Sequence, residues 1–254
     1  MARVTTRTNI LITGASSGLG EGMARLFAAR GRNLALAARR VDRLDALATE
    51  LRAKHPDITV VTRELDVTDH DRVFKVFAEC ADAMGALDRV VVNAGLGKGV
   101  PIGRGRFDVN RDTVETNFVA ALAQCEAAME HFYAVGDGHL VVMSSIQAVR
   151  GMPRSMAAYA ASKAGLAALA EGIRADCIGQ PINVTTLLPG YIRTEMTARL
   201  RIAPRLMVDT DAGCRSLVSA IEREVPEAVL PAWPWRPIGF ALRRLPLRVV
   251  RRIV

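Results

Sequence analysis

The feature that most constrains the fold of this chain is the alternation of short apolar segments with longer segments of helical periodicity. Seven apolar segments have the length and composition of strands: residues 8–13, 33–38, 58–62, 87–92, 140–143, 182–188 and 228–230. Between them, apolar residues recur at helical spacing. Because parallel neighbouring strands require a crossover connection, this order predicts an α/β fold. We expect a Rossmann-type doubly wound parallel sheet of about seven strands, with helices on both faces.

A chain of 254 residues can build this fold as a single domain. We predict one domain over residues 1–230, followed by a tail over residues 231–254. The four cysteines are scattered, which favours a reducing cytoplasm and no disulfide framework. The histidines show no metal-ligand spacing, so no metal site is predicted. No segment reaches the roughly 18 apolar residues of a membrane span, and residues 1–9 do not have the pattern of a signal peptide.

A glycine-rich turn follows the first predicted strand and precedes a predicted helix. It has glycines at positions 14, 18 and 20, a Gly-x-x-x-Gly-x-Gly spacing. Glycines permit a sharp turn and let a phosphate approach the helix N-terminus closely. In this strand–turn–helix setting we predict a dinucleotide phosphate site rather than a plain tight turn.

The end of the second predicted strand carries two arginines, Arg39 and Arg40. An acid at this place suits the ribose hydroxyls of NAD, whereas an arginine suits the 2′-phosphate of NADP. Guanidinium groups match phosphate geometry, so we predict that NADP is preferred over NAD. The alternative is that these arginines are a solvated helix start.

Polar or small residues also follow the later strands. Asp66 could accept a hydrogen bond from an adenine amino group, or it could cap the helix expected near Asp69. The sequence Asn93-Ala94-Gly95 either lets a ligand pass close to the backbone or forms an ordinary strand-end turn. Ser145 follows the fifth strand and Pro189-Gly190 the sixth. Since ligands bind at the carboxyl ends of such strands, we expect these residues to share one crevice.

Tyr159 and Lys163 are four residues apart on a predicted helix and therefore lie on one face. A tyrosine has an ordinary pKa of about 10. A neighbouring ammonium group favours the phenolate and lowers that pKa, which would make the tyrosine a general acid and base near neutral pH. The alternative is an ordinary half-exposed helix pair.

Asn117, inside an apolar helix predicted over residues 110–133, is unfavourable there and needs a partner or a function.

Taken together, these motifs resemble the classical short-chain dehydrogenase/reductase family over roughly residues 8–230. The residues that carry the resemblance, or that it implies in cofactor binding, are Gly14, Ser16, Ser17, Gly18, Leu19, Gly20, Asp66, Val67, Asn93, Ala94, Gly95, Asn117, Ser144, Ser145, Tyr159, Lys163, Pro189, Gly190, Ile192 and Thr194. The resemblance implies hydride transfer between NADP(H) and a carbonyl or alcohol, and assembly as a homodimer or homotetramer.

The resemblance also assigns roles to individual residues. Tyr159 would be the acid in reduction and the base in oxidation, and Lys163 would lower its pKa and hold the nicotinamide ribose. Ser145 would bind the substrate oxygen, and Asn117 would anchor a water that relays protons through Lys163. Thr194 would contact the nicotinamide amide.

One departure concerns the spacing of Ser145 and Tyr159, which is fourteen residues where the family usually has thirteen. We expect the extra residue to bulge between Pro153 and Ala158, beside the substrate. If the register is shifted, Ser144 would replace Ser145.

A second departure is the tail, in which the last nineteen residues contain six arginines and no acid. Leu242, Leu245, Val249 and Ile253 lie on one helical stripe, and Pro246 should kink or restart the helix. One interpretation is peripheral contact with the inner, anionic face of a membrane. The other is packing on the chain itself or on another subunit.

The function expected from these residues is NADP(H)-dependent interconversion of a carbonyl and a secondary alcohol, on an apolar substrate if the tail meets a membrane. One alternative is reduction of a 3-oxoacyl thioester, with the basic loop over residues 98–106 meeting an acidic carrier. A non-catalytic NADP-binding protein is disfavoured, because a sensor has no need of the proton-transfer groups. With most of the net charge of +8 in the tail, no nucleic-acid partner is expected.

Overall fold

A computed structural model describes residues 6–198 and 206–253, and it contains one parallel seven-stranded sheet. The strands are β1 (Asn9–Thr13), β2 (Asn33–Ala38), β3 (Val60–Glu64), β4 (Arg89–Val92), β5 (Gly138–Met143), β6 (Ile182–Pro189) and β7 (Glu227–Leu230). Their order is β3-β2-β1-β4-β5-β6-β7, and every neighbouring pair is parallel. The predicted fold class is therefore confirmed.

Helices cover both faces of the sheet. They are α1 (Gly18–Ala28), α2 (Val41–Lys54), α3 (His70–Met84), α4 (Phe107–Val114), α5 (Ala120–Val135), α6 (Ala157–Asp176), α7 (Glu195–Ala198), α8 (Thr210–Glu222), α9 (Ala232–Arg244) and α10 (Leu247–Ile253). One apolar core joins the sheet to α1, α2 and α8, and a second joins its other face to α3, α5 and α6. Alternate side chains of each buried strand enter the two cores, which is why these strands are continuous apolar runs.

The chain order reverses between β1 and β4. From β1 the chain winds outward through β2 to β3, and it then returns to place β4 on the other side of β1. The connections that leave β1 and β4 therefore diverge above the carboxyl ends of these strands. This topological switch point creates the crevice in which such sheets bind ligands.

The helix predicted over residues 110–133 is present, but it is not α-helical throughout. It begins earlier, as α4, passes through a π-helical turn at Glu115–Val119, and continues as α5 to Val135. The π turn contains Asn117, whose side chain is fully buried. Single π turns inside helices commonly mark functional positions.

A buried charge network lies at the opposite, amino-terminal end of the sheet. Arg89 is 1% exposed, and its Nε donates to Nδ1 of His139 at 2.8 Å. Burial lowers the pKa of His139, so the ring is neutral and its protonated Nε2 donates to Thr185 at 2.8 Å. Arg89 also pairs with Glu222 and Glu224, and Arg7 pairs with Glu224. The network thus joins β4, β5 and β6 to the C-terminal end of α8.

The tail folds against the body of the chain. Leu242 and Leu245 pack with Met152 and Met156, and the break between α9 and α10 falls at Leu245–Pro246, as Pro246 predicted. Arg150 Nη1 donates to the Leu242 carbonyl at 2.7 Å and also to that of Leu245, satisfying the last carbonyls of α9.

The predicted apolar stripe of the tail is only partly correct. Val249 is 38% exposed, and the neighbouring Val250 is buried in its place. The side chain of Ile253 lies outside the described residues. We therefore find self-packing for the first half of the stripe only.

Candidate active site

A large cavity lies over the carboxyl ends of the central strands. Its space, including the open mouth, is about 1660 Å³. The predicted residues that line it are Gly14, Ser16, Ser17, Gly18, Leu19, Arg39, Arg40, Asp66, Val67, Asn93, Ala94, Gly95, Ser145, Tyr159, Lys163, Pro189, Gly190, Ile192 and Thr194. Gly20 and Asn117 do not line the cavity but contact residues that do. The structure therefore brings the predicted site together.

The glycine turn has geometry that side chains would obstruct. Gly14 and Gly18 have φ angles of +64° and +59°, in the region that favours glycine. A Cβ on Gly20 would lie 2.4 Å from the Gly14 carbonyl oxygen. Asn93 Nδ2 donates to the Thr13 carbonyl at 2.9 Å, which fixes the turn to the end of β4. The result is a shallow cradle at the N-terminus of α1, suited to an anion.

Arg40 is bound to the glycine turn through its serines. Its guanidinium donates to Ser17 Oγ at 2.6 Å and to Ser16 Oγ at 3.3 Å. It also pairs with Glu195 at 3.0 Å, and Arg43 reaches the same carboxylate at 3.4 Å. The hydrogen bond from Arg40 holds the pKa of Glu195 below its ordinary value. A cationic group therefore stands beside the predicted phosphate cradle.

Asp66 and Arg39 lie together in the same cavity. Arg39 Nη1 is 3.7 Å from Asp66 Oδ2, and both side chains are exposed. Asp66 accepts from the backbone and hydroxyl of Thr68, whereas α3 is capped by Asp69, which accepts from Arg72 N at 3.0 Å. The capping interpretation of Asp66 is therefore wrong, and its carboxylate remains at the cavity.

The candidate acid–base group forms where β5 and α6 meet. Tyr159 is hydrogen-bonded to Ser145, and Ser145 Oγ also accepts from Gln147 N at 3.2 Å. Ser144 instead donates to the Lys163 carbonyl at 2.8 Å and so supports α6. The register is therefore the one in which Ser145 faces the tyrosine. In the connection where we expect the extra residue to bulge, Arg154 has a φ of 61° and a short 3₁₀ turn over Arg154–Met156 precedes α6.

The pKa of Tyr159 shifts in the direction opposite to the predicted one. Burial raises the pKa of Tyr159, and the hydrogen bond from Ser145 offsets only part of this effect. Burial also lowers the pKa of Lys163 to about 8. The Lys163 ammonium donates to the Met143 carbonyl at 2.8 Å. The predicted lowering of the tyrosine pKa by lysine is therefore not found: burial sets the direction, and Lys163 is not among the groups that shift this pKa.

Asn117 has a partner in the main chain of Leu96. Its Oδ1 accepts from Leu96 N at 2.7 Å and its Nδ2 donates to Leu96 O at 2.9 Å. A Cβ on the adjacent Gly95 would lie 3.1 Å from Asn117 Oδ1 and 3.4 Å from Lys163 Nζ. The buried asparagine thus holds the segment after β4 close to Lys163.

Several cavity residues were not predicted from the sequence. Gln147, Tyr191, Glu195 and Met196 all line the cavity. Tyr191 directly follows Pro189-Gly190, and Gln147 is two residues beyond Ser145. Their closeness in the sequence to predicted site residues was the one feature that could have indicated them. The contacts of Glu195 with Arg40 and Arg43 span more than 150 positions, and no local pattern indicates them.

Comparison with known proteins gives consistent matches. Residues 8–204 match the family model described as short chain dehydrogenase. An uncharacterized oxidoreductase of Mycobacterium tuberculosis is 55% identical over 247 residues, which cover 97% of each chain.

Two solved structures share the fold. A short-chain dehydrogenase from Sphingobium yanoikuyae in complex with NADPH has a TM-score of 0.80 and 27% identity, covering 93% of this chain and 94% of the other. An alcohol dehydrogenase from Thermococcus sibiricus complexed with 5-hydroxy-NADP has a TM-score of 0.78 and 27% identity, covering 88% and 95%.

Proposed function

The chain belongs to the short-chain dehydrogenase family and is an oxidoreductase acting on CH–OH groups, and from this premise we propose that it uses NADP(H) to interconvert a carbonyl and a secondary alcohol. The observation that carries the proposal is the meeting of Tyr159, Ser145 and Lys163 in the same cavity as the glycine cradle. We further propose that the substrate is apolar, because Leu96, Ile146, Met156 and Met196 are among the residues that line this cavity.

The residues of the cavity fit a nicotinamide dinucleotide. Gly14 and Gly20 leave space that a Cβ would fill, and the N-terminus of α1 faces that space. Asp66 and Val67 would hold the adenine, Asn93 to Gly95 the adjoining ribose, and Lys163 the nicotinamide ribose. Pro189, Gly190, Ile192 and Thr194 would flank the nicotinamide, whose ring would accept or supply the hydride when bound.

The chain's own residues would manage the proton and the charge on the substrate oxygen. Tyr159, whose raised pKa keeps it protonated at neutral pH, would donate its proton to the carbonyl oxygen in reduction and take it back in oxidation. Ser145 would donate a hydrogen bond to the same oxygen and stabilise the developing negative charge. Lys163 would hold a proton behind Tyr159. The side-chain amide of Asn117 is already hydrogen-bonded to the main chain of Leu96. Asn117 would therefore support a water relay only through its position near Lys163.

Preference for NADP over NAD rests on the arginines at the end of β2. Arg40 is anchored to Ser16 and Ser17 beside the cradle, where a 2′-phosphate would meet a guanidinium group. Arg39, on the far side of Asp66, would add positive charge. The two structural relatives, solved with NADPH and 5-hydroxy-NADP, support the same preference.

The experiment that tests the function follows NADPH oxidation over a panel of ketones, aldehydes and 3-oxoacyl thioesters. We expect turnover with at least one carbonyl class, and we expect Tyr159→Phe to lower kcat at least 100-fold because it removes the proton donor. Cofactor binding should persist in the variant. Undiminished turnover in Tyr159→Phe would refute the mechanism, and fastest turnover of thioesters would favour the 3-oxoacyl alternative. Tight NADPH binding without turnover of any substrate would favour a binding protein.

The tail suggests where the enzyme acts. None of its six arginines forms an ion pair with another described residue, and Trp233 beside them is 80% exposed. We propose a cytoplasmic enzyme whose tail contacts the anionic inner face of a membrane. No helix in the described part of the chain is long and apolar enough to cross a bilayer. Assembly as a homodimer or homotetramer is also proposed, and light scattering would test it.

A further inference from the structure

A second polar pair lies beside the candidate acid–base group. Gln147 is only 6% exposed, and its Nε2 donates to the Tyr191 hydroxyl at 2.8 Å. Both residues line the cavity that contains Ser145 and Tyr159. Tyr191 is near enough to Tyr159 to raise the pKa of the Tyr159 hydroxyl group. The pair is therefore within the space that a substrate would occupy.

This pair has unused hydrogen-bonding capacity. The Tyr191 oxygen accepts from Gln147, so its own hydrogen is directed elsewhere, and no other described residue accepts it. The other end of the amide, Gln147 Oε1, is buried and has no hydrogen-bond partner among the described residues. Buried polar groups are usually paired, and an unpaired one costs about 1–3 kcal/mol. A polar group of a substrate could satisfy the pair.

The tail holds Tyr191 in place. The Trp235 ring lies 5.4 Å from the Tyr191 ring at 59°, and a Cβ on Gly190 would be 2.2 Å from Trp235. Trp235 is buried, and α9 packs beside Ile146, the residue before Gln147. Side chains confined in this way position a hydrogen bond at low entropic cost.

We propose that Tyr191 and Gln147 form a polar subsite that selects, among otherwise apolar substrates, those with a second oxygen near the reacting carbonyl. The class includes hydroxyketones, diketones and 3-oxoacyl esters, whose second oxygen would accept from the Tyr191 hydroxyl. Gln147 is a positioning residue that orients this hydroxyl. The inference rests on the proposed function, since it assumes that Ser145 and Tyr159 bind the reacting carbonyl.

The test compares matched substrates in the full-length enzyme with NADPH: an alkyl ketone and the hydroxyketone of equal chain length. Tyr191→Phe keeps the ring against Trp235 and removes only the hydroxyl. We expect it to lower kcat/KM for the hydroxyketone about tenfold, the effect of one hydrogen bond, and to leave the alkyl ketone within twofold. Gln147→Leu should give a smaller loss with the same selectivity. Equal effects on both ketones, or none, would overturn the subsite.

A binding measurement separates this inference from the proposed function. Calorimetry with NADPH-loaded protein would compare a diol with the matching monoalcohol, and no turnover takes place because the cofactor and the alcohol are both in the reduced form. We expect the wild-type protein to bind the diol more tightly and Tyr191→Phe to remove that advantage. Equal affinity of the wild-type protein for both alcohols would refute the subsite even if carbonyl reduction is found. Absence of reduction with preserved diol preference would refute the proposed function alone.

Discussion

Burial lowers the pKa of Lys163 from its ordinary value of 10.5 to about 8. We therefore predict that kcat for carbonyl reduction is constant from pH 6 to about 7 and falls as the pH rises through about 8, because Lys163 loses its proton. A pH profile of kcat measures this. Lys163→Arg stays charged, so whatever kcat this variant has should not fall over the same pH range. A wild-type profile without a change near pH 8 would contradict the prediction.

The same group should affect stability in the opposite direction. Its pKa in the folded state lies below the ordinary value of 10.5, so between about pH 8 and 10.5 the unfolded chain binds more protons than the folded chain. The free energy of unfolding of the wild-type protein, relative to Lys163→Met, should therefore rise with pH in this window. The rise is on the order of 3 kcal/mol at most.

A further residue-scale prediction concerns the choice of cofactor. Arg40→Ala should weaken NADPH binding roughly tenfold or more and leave NADH binding within about twofold, because only NADPH carries the 2′-phosphate. Arg39→Ala should have the same selectivity with a smaller effect, since Arg39 is 67% exposed. Fluorescence titration with each cofactor measures both. Equal losses for the two cofactors would contradict the assignment.

Glu195 supplies the reciprocal control. Its carboxylate pairs with Arg40 and would repel a phosphate at the same place. Glu195→Gln removes the charge with little change in size, and it should tighten NADPH binding a few-fold without changing NADH binding. A weaker binding of NADPH by this variant would show that Glu195 supports the phosphate site instead.

At the scale of the elements, most of the sheet could be predicted from the sequence. Each predicted strand agrees with the structure within two residues at either end. Buried parallel strands are continuous apolar runs, which makes them easy to recognise. The boundary is least accurate for β3, an edge strand whose later residues, Thr62 to Glu64, are polar or partly exposed. The residues at the carboxyl ends followed from the strands, so most of the residues that line the cavity could be predicted too.

The parts that could not be predicted depend on contacts distant in the sequence. The π turn around Asn117 accompanies a pair of hydrogen bonds to Leu96, twenty-one residues away. The pKa direction of Tyr159 depends on how deeply α6 is buried, which the spacing of Tyr159 and Lys163 does not reveal. The role of Trp235 as a support for Tyr191 likewise requires the tail to fold back on the domain.

At the scale of the whole molecule, positive charge is concentrated in the tail. The outward face of α9 and α10 carries the six arginines, together with exposed Trp233, Phe240 and Leu247. We predict that the protein pellets with vesicles containing anionic lipid, and that replacing Arg243, Arg248 and Arg251 by glutamine removes most of this binding. Each arginine near an anionic surface contributes about 1 kcal/mol. Binding should weaken as salt is added.

The matched control replaces three exposed cations elsewhere, Lys75, Arg104 and Arg215, by glutamine. This variant loses the same charge and should still pellet. The tail variant should retain NADPH turnover, because its substituted side chains are exposed and do not line the cavity. Equal loss of vesicle binding in both variants would show a general effect of net charge. A change in oligomer size in the tail variant alone would favour a subunit interface.

The charge network of Arg7, Arg89, His139 and Glu224 lies at the end of the sheet away from the cavity. Its contacts hold strands and α8 together without using any residue that faces a substrate. Loops at the reactive end can therefore change while the anchoring end stays intact, and a lineage could acquire new substrates with little risk of unfolding.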